Sequence, residues 1–325
     1  MKPLIRPFTP DDYPAFAAVA SAAYSDTQGQ PLIPILEEEI RAEDAERDPT
    51  LRFGRWVAEV AGQVVGGVEH NQNAGRYHPH KFLADVFVQP RYQGQGIGTA
   101  LHQHIMEALR PYDPLSAQGA TREDLVLAVA FLERRGWQEA LRMWESFLDV
   151  TTWDPTPFNG VEEAVRAQDI AIKTLPELAD DSGRNHKLYD LVWEIRQDFP
   201  SLDAATRESF EEFVVQRLND KQLIPQAFFV AVCNGEYVGY TSHSSFGDRP
   251  DVLRIGQTGV KRAFRRRRIA QALKLRGAAY ARAHGFRYLR TVNESRNRGI
   301  LTISERMGFV KRPAWIEFVK TFREE

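Results

Sequence analysis

The segment Val86–Leu101, VFVQPRYQGQGIGTAL, decides the fold because a second version of it follows 172 residues later. That version is TGVKRAFRRRRIAQAL, Thr258–Leu273. The same offset places FLERRGW, from Phe131, over ISERMGF, from Ile303, with no gap between. Chance does not keep one register over such a distance, and the period is far too long for a solenoid repeat. The sequence therefore predicts a duplicated domain.

Each half also carries a hairpin pattern upstream of this segment. WVAEVAGQVVGG, from Trp56, aligns with FVAVCNGEYVGY, from Phe229, and both alternate apolar residues around a Gly-containing turn. The predicted turns are Ala61-Gly62-Gln63 and Asn234-Gly235-Glu236, with return strands from Val64 and Tyr237. The order in each half is strand, helical region, hairpin, strand, loop, helix, strand, helix and closing strand, which predicts an α+β or mixed α/β fold.

Composition limits the domain number and the class of protein. A chain of 325 residues suits about two domains, and the proline-containing stretch TTWDPTPFNG interrupts the pattern. We predict an N-terminal domain at 1–152, a linker at 153–165 and a C-terminal domain at 166–325. The net charge of −2 argues against a general polyanion binder. A single cysteine excludes an internal disulfide, and no run approaches the roughly 18 apolar residues of a membrane span. We expect a cytoplasmic protein without membrane contact.

The loop QGQGIG, Gln93–Gly98, follows a strand and opens a helix in the first half. The apolar face of that helix predicts its length, from the loop to just before Pro111. Unpaired N–H groups at the helix start and flexible glycines favour an anion such as phosphate. The spacing matches neither the Walker A sequence nor the dinucleotide fingerprint. A tight turn without any ligand is the alternative.

Together, Gln93-x-x-Gly96-x-Gly98 after a strand and FLERRGW about 40 residues on resemble the GNAT superfamily of acyl-CoA-dependent N-acyltransferases. Both halves match, and the layout is similar to that of mycothiol synthase and related two-domain acetyltransferases. The resemblance implies two tandem domains, each a mostly antiparallel twisted sheet flanked by helices. It implies an N-acetyltransferase that moves an acetyl group from acetyl-CoA to a small-molecule or peptide amine by direct attack. A non-catalytic acyl-CoA-binding or regulatory protein is the alternative.

The same resemblance implies a set of acetyl-CoA contacts. Loop amides should hold the pyrophosphate, while the strand should bind pantetheine and polarise the thioester carbonyl. The implied positions are Val86, Phe87, Val88, Gln93, Gly94, Gln95, Gly96, Ile97, Gly98 and Thr99 in the first half, with Val260, Arg265, Arg267, Ala270, Asn293 and Asn297 in the second.

Candidates for the proton-transfer groups are fewer. Asp85 and Glu69 are candidate catalytic bases, with an ordinary edge or loop carboxylate as the alternative. A tyrosine that acts as general acid in many members would fall at Leu132 and Ser304, so neither half has it. The acid is therefore unassigned at this point.

The arginine run of the second half has several interpretations. Arg268 stands where the first half has Gly96, and it suits the loop only if negative backbone angles suffice. The run is an altered phosphate loop, a solvated basic surface, a contact for protein or nucleic acid, or none of these. Only Phe264 lies nearby to stack on bases, which disfavours nucleic acid. The loop glycines favour the first half as the active one, whereas the mycothiol-synthase layout favours the second.

Two further groups of residues need no special chemistry. His70, His78 and His80 lack the accompanying ligands of a metal site, so we expect an exposed loop and no metal. The aromatic residues of 185–219 are expected to pack in a core, with an acceptor cleft as the alternative. The sequence does not identify the amine.

Overall fold

The computed structural model describes residues 3–25, 35–247 and 249–324. The helices are α1 Tyr13–Ala23, α2 Glu37–Glu46, α3 Ile97–Leu109, α4 Val126–Glu133, α5 Val161–Arg166, α6 Arg184–Arg196, α7 Phe210–Phe213, α8 Ile269–Ala283 and α9 Arg298–Met307. The strands are β1 Leu4–Pro7, β2 Phe53–Val60, β3 Gln63–Asn71, β4 Lys81–Val88, β5 Ser116–Arg122, β6 Gln138–Asp149, β7 Ile170–Thr174, β8 Phe229–Cys233, β9 Glu236–Ser244, β10 Val252–Val260, β11 Tyr288–Glu294, β12 Val310–Lys311 and β13 Trp315–Thr321. The predicted element order is confirmed in both halves.

Both predicted hairpins are present, and their turns explain why they form. Ala61 and Gly62 have φ of 50° and 77°, while Asn234 and Gly235 have 48° and 80°. Two successive left-handed residues make the type I′ turn whose twist matches that of the strands, and Asn-Gly is its preferred pair. The return strands begin at Gln63 and Glu236, one residue earlier than predicted.

The first compact unit comprises the chain through Ala140 together with Ile316 onward. Its sheet has the order β1-β2-β3-β4-β5-β13; β1 to β4 are antiparallel, and β4 and β5 are parallel. Neighbouring strand residues point to opposite faces, so Val57 packs with α1 while Ala58 packs with α3. Two helices thus cover the two faces of this sheet.

The second compact unit, Leu141–Trp315, repeats this arrangement with its own strands. Its sheet has the order β7-β8-β9-β10-β11-β6, antiparallel except between β10 and β11. Val230 packs with α6 and Ala231 with α8, on opposite faces. One feature is new: β10 contains an extra residue between Ile255 and Thr258, a β-bulge that β4 lacks. The predicted mixed, mostly antiparallel fold is confirmed.

The closing strand of each sheet comes from the other half of the sequence. β13 lies beside β5 in the first unit, where Ile316 and Phe318 are buried in the core. β6 pairs with β11 in the second unit, from Met143 to Asp149. The compact units therefore differ from the divisions 1–152 and 166–325 drawn from the sequence.

The segment 153–165, expected to be a linker, is part of the second unit. It contains the start of α5, whose Val161 and Val165 are buried in the core with Trp153. Within the described ranges, none of the helices has the length and apolar character needed to cross a membrane.

Candidate active site

A cavity of about 110 Å³ opens in the first unit where β4 and β5 separate. The parallel ladder has three pairs and ends at Leu83 and Gln118, although β4 continues along β3 to Val88. Residues beyond that point on both strands line the cavity, with α3 and α4 forming its other walls. The lining includes Tyr24, Asp85, Val86, Gln93, His102, Thr121, Leu132 and Trp137.

The glycine loop stands at the end of β4, before α3. Gly94 and Gly96 both have left-handed backbones, with φ of 74° and 85°. A Cβ atom built on either glycine meets no atom within 4 Å, so open space borders the loop. Gly96 occupies the N-cap position of α3 without a side-chain cap, which leaves the first helical N–H groups for another acceptor.

The other positions predicted to contact acetyl-CoA in this half differ in their surroundings. Gln93 donates from Nε2 to the Val88 carbonyl at 3.0 Å, so its side chain ties the loop to the strand. Ile97 and Phe87 are buried in the cores and offer only their backbones. Thr99 and Gln95 are exposed; Thr99 accepts from Arg135. Gly98 lies beside the Phe131 ring of α4, and a Cβ atom built on it would meet that ring at 3.4 Å, an ordinary contact distance.

Asp85 lies in the cavity and is bonded to a residue that the sequence did not indicate. The hydroxyl of Tyr24, at the end of α1, donates to Asp85 Oδ1. Burial raises the pKa of Asp85, the Tyr24 hydrogen bond opposes the rise, and the Glu69 charge adds to it, so that the pKa lies at about 6. A carboxylate with a pKa near neutrality can accept a proton from an amine. For the phenol, burial raises the pKa of Tyr24 well above its ordinary value, so it remains protonated.

Glu69 lies directly across from Asp85 in the ladder of β3 and β4. Its carboxylate accepts from Arg55 Nε at 2.7 Å, and Arg55 also pairs with Asp44 at 2.6 Å. Glu69 does not line the cavity, whereas Asp85 does. The arrangement therefore separates the two candidates: Asp85 faces the cavity, and Glu69 supplies a fixed charge beside it.

The second unit keeps the conformation of the loop despite its arginines. Arg266 and Arg268, at the places of Gly94 and Gly96, both have φ of 63°. Arg265 donates from Nε to the Val260 carbonyl at 3.1 Å, as Gln93 does to Val88. The negative angles that would suit Arg268 are thus not adopted. A left-handed backbone costs about 1–2 kcal/mol for a residue such as arginine. In this loop both arginines adopt the backbone conformation that the two glycines adopt in the first unit.

The Acetyltransferase (GNAT) family model matches residues 19–137 and 186–309. The chain belongs to the GNAT acetyltransferase family. A GCN5-related N-acetyltransferase from Sphaerobacter thermophilus is 20% identical, with a TM-score of 0.71 over 99% of this chain and 96% of that one. A tandem GNAT protein from the clavulanic acid biosynthesis pathway is 19% identical, with a TM-score of 0.73 over the whole of both chains. At these identities the likeness shows the fold. No curated protein matches the sequence.

Membership of the GNAT family confirms the predicted class, a tandem acetyltransferase whose family generally uses acetyl-CoA. The similarity to mycothiol synthase stays a prediction. At the place of the GNAT general-acid tyrosine, Leu132 lines the first cavity. Beside it, His102 accepts from Trp137 Nε1 at 3.0 Å, and burial lowers the pKa of His102 to about 4. This imidazole is therefore neutral and forms a wall of the cavity.

The corresponding GNAT position in the second unit holds a buried amine. Lys274, which aligns with His102, is fully buried and donates from Nζ to Ser304 Oγ at 3.0 Å. Burial lowers the pKa of Lys274 to about 7. The nitrogen also lies 5.0 Å from the centre of the Phe309 ring. Lys274 and Ser304 thus occupy the region that His102 and Leu132 line in the first unit.

The two candidate bases of the first GNAT unit, Asp85 and Glu69, have no acidic counterparts at the aligned positions of the second unit. Gln257 lies in the bulge of β10, and Ser242 stands at the place of Glu69. The Gln257 amide donates to Ser242 Oγ at 3.2 Å, and Tyr240 donates to the Gln257 side chain. The bulge is thereby held by neutral hydrogen bonds.

The remaining positions predicted in the second unit are dispersed. Asn293, on β11, donates to Thr291 Oγ1 at 3.3 Å, and Asn297 occupies the N-cap position of α9 without a side-chain cap bond. Val260 is buried, Ala270 is half-buried and Arg267 is exposed. Arg265 also pairs with Asp198, as does Arg262. Arg265, Arg266 and Arg268 line a separate cavity of about 260 Å³ with Ile303.

The histidine prediction needs one correction. His70 belongs to β3 and is only 1% exposed, because its ring packs beside Trp56 and Phe82 in the core. The expectation of an exposed loop is wrong for this residue. In the part of the chain that the structure describes, there is no group of three or more His, Cys, Asp or Glu side chains suited to a metal.

Proposed function

We propose that the first unit transfers an acetyl group from acetyl-CoA to an amine, with Asp85 as the base. The observation that carries this proposal is the position of Asp85, a carboxyl with a pKa of about 6 in the cavity that begins at the parting of β4 and β5. The glycine loop follows the same strand, so one element connects the phosphate-binding amides to the base.

The chemistry follows from this placement. The loop amides and the α3 N-terminus hold the pyrophosphate, and the β4 residues Val86–Val88 align the pantetheine arm. An amine attacks the thioester carbonyl, so a C–N bond forms, the C–S bond breaks and CoA leaves as its thiolate. Asp85 takes the proton from the amine, directly or through one water. The open space beside Gly94 and Gly96 fits a phosphate that approaches the backbone closely.

The second unit has a different role under this proposal. Gln257 and Ser242 cannot accept a proton at the pH of the cell, and Arg268 replaces the second loop glycine. These neutral replacements favour a non-catalytic second unit, which departs from the mycothiol-synthase layout. If the first unit also lacks turnover, the alternative applies to the whole chain, which would then be a non-catalytic acyl-CoA-binding protein.

Thiol release from acetyl-CoA, followed with a panel of small amines and peptides, tests the proposal. Asp85→Asn should lower kcat by about 10²–10⁴-fold while acetyl-CoA still binds. Gln257→Leu is the matched variant in the second unit and should retain turnover. No thiol release above background with any amine sinks the enzyme assignment. Loss of turnover in Gln257→Leu but not in Asp85→Asn transfers catalysis to the second unit.

A further inference from the structure

The second unit has another cavity, of about 200 Å³, on the α6 side of its sheet. The apolar floor consists of Val192, Phe213, Phe228, Leu223 and Tyr240. Drug-sized ligands occupy pockets of about 300–1,000 Å³, so this cavity suits a smaller molecule. The arginine loop does not line it, and neither does Lys274.

Arg254 gives the cavity a positive charge that takes part in no ion pair among the described residues. Its Nε donates to Ser244 Oγ at 3.0 Å, a neutral acceptor. Among the residues that the structure describes, no carboxylate lies within ion-pair distance of Arg254. The neighbouring Arg290 is paired with Glu145. An arginine cannot lose its proton in a protein, so the charge in the cavity is permanent.

A comparison of the two units sets Arg254 apart from an ordinary core position. Arg254 pairs with Arg290 in the β10–β11 ladder, and the residue at the same register of the β4–β5 ladder is Leu83. The fold therefore accepts an apolar side chain here. A half-buried guanidinium with one neutral partner loses hydration that a bound anion can restore.

Asp220 brings the opposite charge to the same cavity. Its Oδ1 accepts from the Gln222 backbone amide at 2.9 Å. Burial and the Arg290 charge lower the pKa of Arg254, and the Asp220 charge partly opposes them. Across the described ranges, Asp220 has no cation within ion-pair distance. Arg217, a third charged residue of the lining, is already paired with Glu208 at 2.7 Å.

We infer that this cavity binds a small zwitterion of the α-amino-acid type. The carboxylate pairs with Arg254, the ammonium pairs with Asp220, and an apolar side chain contacts the floor of Phe213 and Phe228. The site is independent of the acetyl transfer proposed for the first unit, because none of its residues belongs to that unit.

Calorimetry with three matched probes tests the site: L-leucine, 4-methylpentanoate, which lacks the amine, and isoamylamine, which lacks the carboxylate. L-Leucine should bind more tightly than either analogue. Arg254→Gln should weaken leucine and 4-methylpentanoate at least tenfold, and Asp220→Asn should weaken leucine and isoamylamine. Arg254→Lys keeps the charge but not the bidentate fork, so it should fall between parent and Arg254→Gln.

Two control variants check that leucine binding depends on Arg254 and on this cavity alone. Arg287→Gln removes an exposed arginine of the same unit, paired with Asp149, and should leave leucine binding unchanged. Asp85→Asn should also leave it unchanged, which distinguishes this site from the first-unit cavity. Thermal melts confirm that each variant is folded. No leucine binding at millimolar concentration, or equal binding by parent and Arg254→Gln, overturns the inference. Equal affinity for leucine and 4-methylpentanoate overturns the zwitterion in favour of a simple anion.

Discussion

Tyr24→Phe should move the acidic limb of kcat/KM upward by about 1–2 pH units. The Tyr24 hydroxyl donates to the carboxylate form of Asp85, so it holds the pKa of that group below the value that burial alone would set. A hydrogen bond to a charged acceptor is worth about 1.5–3 kcal/mol, and about 1.4 kcal/mol corresponds to one pH unit. Removal of the hydroxyl therefore raises the pKa of Asp85 and depletes the base at low pH.

The sign of this effect is specific. In the parent, activity should rise with pH through about 6, because the deprotonated carboxyl is the base. At pH values on the acidic limb, the Tyr24→Phe variant should be less active than the parent. At sufficiently high pH its rate should equal that of the parent. The assay measures thiol release at saturating acetyl-CoA across the limb, with the acceptor amine well below its KM.

Tyr13→Phe is the matched control for this experiment. Tyr13 also lies on α1 and donates to a carboxylate, Asp44 Oδ2, at 2.7 Å. Asp44 is paired with arginines and does not line the cavity. The control should leave the limb in place. A limb that moves equally in both variants, or that stays fixed in Tyr24→Phe, would refute the assignment of Asp85 as the base.

The loops and the buried amine give three more predictions. Gly96→Arg should weaken acetyl-CoA binding at least tenfold in calorimetry. It should lower the free energy of unfolding by only about 1–2 kcal/mol, since Arg268 already adopts the same left-handed angles. Unchanged binding would contradict an acetyl-CoA site in the first unit. Arg268→Gly should raise the free energy of unfolding of the second unit by up to about 1 kcal/mol in urea titrations. The substitution relieves backbone strain of about 1–2 kcal/mol, and the greater entropy of glycine in the unfolded chain offsets part of this gain. A loss of stability would contradict the prediction. For Lys274, the folded pKa of about 7 lies below the ordinary value of about 10.4, so the free energy of unfolding should rise with pH between these values by roughly 4–5 kcal/mol. Lys274→Met should abolish that rise, and urea titrations of both proteins at several pH values check it.

Local signals in the sequence were sufficient for most of the fold. The constant offset revealed the duplication, and the turns at Gly62 and Gly235 located both hairpins. Sequence reasoning also placed Asp85 beside the site, because it precedes the loop on the same strand. These features depend on residues close together in the chain, where periodicity and turn chemistry carry the information.

Long-range features escaped the sequence. Tyr24 meets Asp85 only because α1 packs on the sheet, and no local pattern marks a tyrosine at the end of a helix as a partner for a strand carboxyl. The bulge at Gln257 was also hidden, because it lies just before Thr258, where the ungapped alignment of the two halves begins. The left-handed angles of Arg268 oppose the residue's own preference, so only tertiary structure could reveal them.

The exchange of closing strands has a consequence for the order of synthesis. The first sheet needs β13, which follows almost the whole of the second unit in the sequence and is therefore synthesised after it. A nascent chain that stops at the apparent boundary near Thr152 therefore lacks the strand that lies beside β5, and it carries β6 without its partner β11. Such fragments should have unpaired strand edges and aggregate. A cut of the gene at the sequence repeat should therefore leave each half without its closing strand.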